Sequence, residues 1–206
     1  MAAGRWRFAS SLLLAALAAG IVLHFRPARP PARPPFPARC STATALREGD
    51  LVFRRGQGLW SEVFAEASAH DRRFSHVGVL LRAGGSWQVA HASAEDLTGV
   101  GGAATEPLGA FLRDASAFEI RRPRLEAVQL GRFVAMLRGA VRDRIPFDTG
   151  FSLATPDRVY CTELIWQAWT RATGADPLPR KSLWRGQPIV SIEDVISLGD
   201  VVGAVP

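Results

Sequence analysis

Between residues 26 and 39 the chain reads RPARPPARPPFPAR. At Pro27, Pro30, Pro31, Pro34, Pro35 and Pro37 the ring locks φ and removes a backbone donor, which excludes a helix or a central strand and favours an extended polyproline II spacer. The P-x-x-P spacing would also suit an SH3-type ligand, but a spacer fits a chain of this layout better. The core must therefore form on one side of this stretch. Three parts follow: residues 1–25, a Pro/Arg-rich linker over 26–45, and residues 46–206, which have room for one domain with a hydrophobic core but not for two.

In the first part Arg5 and Arg7 precede an apolar run from Ala9 to Phe25, the layout of a signal peptide or signal-anchor. The run sits near the lower end of the roughly 17–25 residues that span a bilayer. Ala16-Leu17-Ala18 has the A-x-A form of a cleavage site but lies inside the run, which favours retention as an anchor. Arginines flank both ends, so the positive-inside rule does not orient it.

The formal net charge of +6 suggests nucleic acid until its placement is considered. Residues 1–47 hold seven arginines and no acid, leaving 18 basic against 19 acidic groups in the rest. A nearly neutral domain does not track phosphates, so nucleic acid is excluded as a partner.

Within 46–206, Gly49–Phe53 (GDLVF) reads as a turn into a strand, and Leu59–Ala69 has helical spacing. His76–Leu81 and Trp87–Ala92, joined across RAGGS, read as a hairpin. Phe118–Arg121 reads as a strand. Leu125–Arg138 reads as a helix with Val128, Phe133, Val134 and Leu137 on its apolar stripe. CTELIWQAWTRATG predicts a helix from Cys161 that Gly174 ends, SIEDVISL a short helix or turn, and Val201–Val205 a strand. Strands cluster early and helices follow, which predicts an α+β domain.

Cys161 falls where the polar TPDRVY meets that helical run. Free amides and the positive dipole end at a helix start stabilise a thiolate, so the thiol is expected below the free value of about 8.5, and the same amides can face an oxyanion. A lone cysteine is more often a buried small hydrophobe. A nucleophile also needs an imidazole in reach. Of the four histidines, His24 lies in the apolar run and His70 in the polar HDRRF loop, whereas His76 opens one strand of the hairpin and His91 lies in the other. His91 across the hairpin can hold the His76 ring while His76 acts as base and then acid; an ordinary half-buried strand histidine is the alternative for His91.

The segments GDLVF…SHVGVLL and VYCTELIWQAW together resemble the YiiX-like branch of the NlpC-type superfamily, whose papain-like fold is circularly permuted so that histidine precedes cysteine, an order shared with lecithin:retinol acyltransferase-like proteins. The resemblance runs from about Arg47 to about Trp169. It implies an antiparallel sheet packed on helices, a nucleophile at Cys161 on a helix N-terminus, a base at His76 and a third polar residue at or near His91. It also implies a loop-shaping aspartate at Asp148 and places Tyr160 and Glu163 beside the nucleophile, with Tyr160 at the oxyanion site and Glu163 equally explained by the helix dipole.

The implied chemistry is cleavage or transfer of an amide or ester through an acyl-enzyme, without metal or organic cofactor, on a peptide, amide or lipid-like acyl substrate. Cell-wall peptides and lipid esters are the acyl compounds an exported or inner-membrane-anchored, periplasm-facing bacterial protein would meet. Two other readings stay open: a lipid acyltransferase on the same fold, and a membrane-anchored binding module without catalysis, its thiol silenced by a Cys40–Cys161 disulfide. Cys40, at the end of a proline-rich spacer, is poorly placed to hold disulfide geometry. Trp166 and Trp169, three apart on one helix, read as core anchors, and Trp60 and Trp184, beside glycines, as walls of a substrate groove.

Overall fold

A computed structural model describes residues 46–205. The apolar run and the spacer, with His24 and Cys40, lie outside the described residues. Among the described residues no helix is long and apolar enough to cross a membrane.

The elements, in chain order, are β1 (Leu51–Arg54), α1 (Leu59–Glu66), β2 (His76–Ala83), β3 (Ser86–Ala94), β4 (Gly101–Pro107), α2 (Leu108–Phe111), β5 (Phe118–Pro123), α3 (Ala127–Arg142), α4 (Cys161–Thr173), β6 (Ser182–Trp184), β7 (Gln187–Ile189), α5 (Ile192–Ile196) and β8 (Gly199–Val205). Six strands form one sheet in the order β4-β3-β2-β1-β5-β8, and every neighbouring pair is antiparallel. The strands β6 and β7 form a separate hairpin.

Alternation along the strands gives each face its own core. Leu51, Phe53, Val77, Val79, Leu81, Ala90 and Ala92 pack with Phe133 and Leu137 of α3 and with Leu164, Ile165, Ala168 and Trp169 of α4. Val52, Leu80, Val89 and Ile120 pack on the other face with Phe111 and Leu112. The domain is thus an antiparallel sheet packed on helices, the α+β class expected.

The β2–β3 hairpin turns on Gly84 (φ 55°) and Gly85 (φ 82°), both in the left-handed region that a two-residue hairpin loop requires. The aspartate of GDLVF does a structural job: Asp50 is buried, and Arg122 of β5 donates to both carboxylate oxygens at 2.9 Å, locking the start of β1 to its neighbour.

One expectation is corrected here. The third helix starts at Ala127 and runs on to Arg142, and its buried residues are Phe133, Val134, Leu137 and Ala140, whereas Val128 is 69% exposed. Val128 lies five positions before Phe133, about 140° round the helix, so it leaves the stripe. The strand β4, whose sequence GGAATEP carries no strand pattern, pairs with β3 along seven residues, from Gln88↔Pro107 to Ala94↔Gly101.

Candidate active site

The register of the β2–β3 ladder creates the site. Val79 pairs with Ala90, Leu81 with Gln88, and the next pair in this series would be Val77 with Ala92. The ladder stops short of it, although β2 reaches back to His76 and β3 runs on to Ala94. The Val77 amide faces the Cys161 sulfur instead, joined by the amides of Thr162 and of Cys161 itself. The start of α4 thus meets β2 just past the end of its ladder with β3.

Cys161 is the first residue of α4 and is wholly buried. Tyr160 precedes it in extended conformation, and its amide donates to Glu163 Oε2 at 3.4 Å. Two side chains hold this turn against the chain ahead of α5: Tyr160 Oη accepts the Val190 N–H at 2.9 Å, and Thr162 Oγ1 donates to the Val190 carbonyl at 2.6 Å. Tyr160, expected at an oxyanion site, holds the peptide that leads into Cys161 against Val190.

Across β2 and β3 the two histidines meet. His76 Nε2 and His91 Nδ1 are 2.9 Å apart, with ring planes at 87°. Both rings lie on Phe111, at centroid distances of 5.6 and 5.3 Å. Gly78, between them in the β2 alternation, is required: a Cβ there would stand 2.3 Å from Val89 Cγ1, 2.9 Å from the Ala90 carbonyl oxygen and 3.1 Å from His91 Cβ. The glycine of SHVG is thus the space that His91 occupies. Among the described residues no hydrogen bond joins His76 to the thiol, and such contacts commonly tighten only with substrate bound.

Two residues that the sequence reading did not single out complete the cluster. Glu106 of β4 places Oε1 3.2 Å from His91 Nε2. Arg54, paired with His76 across the β1–β2 ladder, lies over the Phe111 ring at 4.4 Å and donates from a terminal guanidinium nitrogen to the Phe111 carbonyl at 2.5 Å, while its buried Nε has no partner. For Arg54 a signal existed in the strand register with His76; for Glu106 there was none until β4 was known to be a strand.

The electrostatics reverse one expectation. Burial pushes the Cys161 thiol up to about 12, outweighing the amides of Val77, Thr162 and Cys161 and the nearby Arg54, all of which pull it down. Burial first, then His91 and Arg54, hold His76 well below the ordinary histidine value. At rest both groups are uncharged near neutrality, not a thiolate–imidazolium pair. The amides at the start of α4 pull the thiol down but are overcome by desolvation.

The remaining expected residues are placed as follows. Asp148 is buried and shapes its loop, accepting from Gly150 N at 2.8 Å, Ser152 N at 2.9 Å and Thr155 Oγ1 at 2.7 Å. That loop holds Phe151 at φ 51°, a strained value for a bulky residue, costing on the order of 1–2 kcal/mol. Phe151 is the hub of an aromatic cluster that takes in Trp60 at 5.6 Å, Trp184 at 5.7 Å and Tyr160 at 5.5 Å. Glu163 is fully buried and pushed up to about 8, by desolvation against a hydrogen bond from Gln167. His70 is exposed and bound to Glu193.

Residues 45–186 match the profile of a permuted papain-like amidase enzyme family, YaeF/YiiX, C92. The crystal structure of metalloprotein yiiX from Escherichia coli O157:H7 superposes with a TM-score of 0.59 at 19% identity, covering 78% of this chain and 96% of that one. No curated protein matches the sequence. That relative is described as a metalloprotein; among the described residues here, no group of three or more His, Cys, Asp and Glu side chains is arranged to hold a metal ion. With a profile match across most of its length and the same fold, this chain belongs to the permuted papain-like amidase family of YaeF and YiiX, a family of thiol hydrolases.

Proposed function

We propose that the protein cleaves an acyl amide or ester with Cys161 as nucleophile, His76 as general base and then acid, and His91 holding the His76 ring. The observation that carries this is the Cys161 sulfur at a helix N-terminus, faced by the backbone amide of Val77, the residue next to His76, whose ring meets His91 at 2.9 Å. Because thiol and imidazole are both uncharged at rest, attack is coupled to proton transfer. The S–H proton passes to His76 as the S–C bond forms, and the developing oxyanion is met by amides at the start of α4. Collapse breaks the bond to the leaving group, to which His76 returns the proton. Water, deprotonated by His76, then attacks the thioester, releases the acid and restores the thiol.

The substrate class is a cell-wall peptide or an acyl amide or ester, and the aromatic wall of Trp60, Phe151 and Trp184 suits its apolar portion. Residues 1–25 tether the domain to the bacterial inner membrane, facing the periplasm. One observation favours a second reading, a binding module without turnover: the complete burial of Cys161.

Intact-mass analysis after rapid quenching with p-nitrophenyl acyl esters and peptide amides decides between them. A covalent acyl adduct on Cys161, absent from Cys161→Ala and formed far more slowly in His76→Ala, is expected. Turnover that survives Cys161→Ala would overturn the mechanism, and a wild-type chain with no adduct and no turnover would favour the binding module. Transfer of the adduct to an added alcohol or amine in preference to water would make it an acyltransferase.

A further inference from the structure

We propose that Glu106 sets the direction of the histidine pair, holding His91 with its proton on Nε2 so that His76 donates from Nε2 and keeps a bare Nδ1 for the Cys161 proton. The proposal deepens the reading above and rests on its assignment of Cys161 and His76.

A hydrogen bond between two ring nitrogens needs a proton on one and a lone pair on the other, and the 2.9 Å contact from His76 Nε2 to His91 Nδ1 is compatible with either order. The two orders differ in chemistry. With the proton on His91 Nδ1, His76 Nε2 is the acceptor, the proton of His76 sits on Nδ1, and the ring has no free lone pair to take a thiol proton. With the proton on His91 Nε2, the polarity runs the other way and His76 Nδ1 is the base. The second ring nitrogen of His91 decides, and it stands 3.2 Å from Glu106 Oε1.

An ionised carboxylate only accepts. Against it, His91 Nε2 with a proton makes a charge-assisted bond, whereas a bare Nε2 would set lone pair against lone pair. The carboxylate is kept ionised first by that bond to His91, which outweighs its desolvation, with further help from the charges of Arg54 and Arg113. The backbone fixes the arrangement: β4 pairs Ala104 with His91 and Glu106 with Val89, so alternation puts Glu106 and His91 on one face as diagonal neighbours. Phe111 packs on both rings and limits their rotation. Glu106 acts through the histidines and is a positioning residue.

The test is the histidine tautomer, read in the full chain labelled with 15N-histidine by long-range 1H–15N correlation, together with amide-hydrolysis kinetics. Wild-type His91 is expected to carry its proton on Nε2, with Nδ1 bare. In Glu106→Ala the tautomer becomes mixed or inverts, and kcat falls roughly ten- to a hundredfold with KM little changed. The isosteric Glu106→Gln, which lacks the charge and can present its N–H₂, also falls, and Glu106→Asp recovers part of the loss. A wild-type His91 protonated on Nδ1 would overturn the proposal, as would a Glu106→Ala chain that keeps both the wild-type tautomer and kcat. A chain without hydrolytic activity whose Nε2–H tautomer is lost in Glu106→Ala would support the role of Glu106 and count against the reaction, so the two failures are separable.

Discussion

The state of Cys161 is set by a contest between local and tertiary effects. A helix start lowers a thiol, and three amides face this sulfur, yet burial wins and holds the thiol at about 12. Since a raised thiol pKa means the thiolate is scarce below it, iodoacetamide alkylation of the free chain should be slow at pH 7 and climb about tenfold per pH unit through pH 10. A plateau below the free-cysteine value of about 8.5 would mean that the site opens in solution. Glu163 obeys the same physics with a different readout. Its carboxyl is raised from 4.5 to about 8 in the folded chain, so between those values the native state binds the proton that the unfolded state has lost. Stability is therefore highest below about pH 4.5 as far as this group is concerned and falls as pH rises towards 8. Glu163→Gln should remove that fall, gaining on the wild type by up to a few kcal/mol between pH 5 and 8 in urea titrations; parallel pH profiles for the two chains would refute the assignment.

The β2–β3 hairpin and α4 explain at the element scale what could be read beforehand and what could not. SHVG and YCTEL each declare their element locally: β-branched alternation after His76, and a polar-to-helical switch at Cys161 ended by Gly174 at φ 76°. Those signals sufficed for the hairpin, the helix and the meeting of His76 with His91. The strand β4 has no such signal, because Gly101, Gly102, Ala103 and Ala104 carry neither β-branching nor alternation; what makes it a strand is pairing with β3. Glu106 was lost with it. Nor does a sequence show where a ladder ends, and it is just past the end of the β2–β3 ladder that the sulfur meets β2. Gly78→Ala tests this hairpin directly. The new Cβ would meet Val89 and the Ala90 carbonyl, which is backbone and cannot give way easily, so a loss of about 1–3 kcal/mol in chemical denaturation is expected. Hydrolysis should fall by more than the unfolded fraction explains, since the His76–His91 contact is spread apart; a stable, fully active Gly78→Ala chain would show that the contact is not needed.

For the molecule as a whole, the distribution of charge and apolar residues assigns separate tasks to separate parts. The domain is nearly neutral, while the arginines without acids are gathered in residues 1–47 around an apolar run. Each core face of the sheet is covered within residues 46–205, by α3 and α4 on one side and Phe111 and Leu112 on the other, so hydrolysis should not require the N-terminal run. If that run holds the protein to a bilayer, its binding comes from unbroken apolar length, and one arginine near the middle of a spanning helix costs about 2.5–3.5 kcal/mol. Replacing both Leu13 and Leu17 by arginine should release the chain from carbonate-washed membranes, whereas the unaltered chain should stay with the pellet. Hydrolysis of a soluble amide per folded molecule should be the same for both, because the candidate site is built from residues 46–205, and hydrolysis of a bilayer-borne acyl substrate should fall in the released chain by the concentrating effect of the tether. Equal loss on both substrates would mean that the N-terminal run takes part in the folded domain, and retention of the double-arginine chain in the pellet would place the membrane contact on the domain surface.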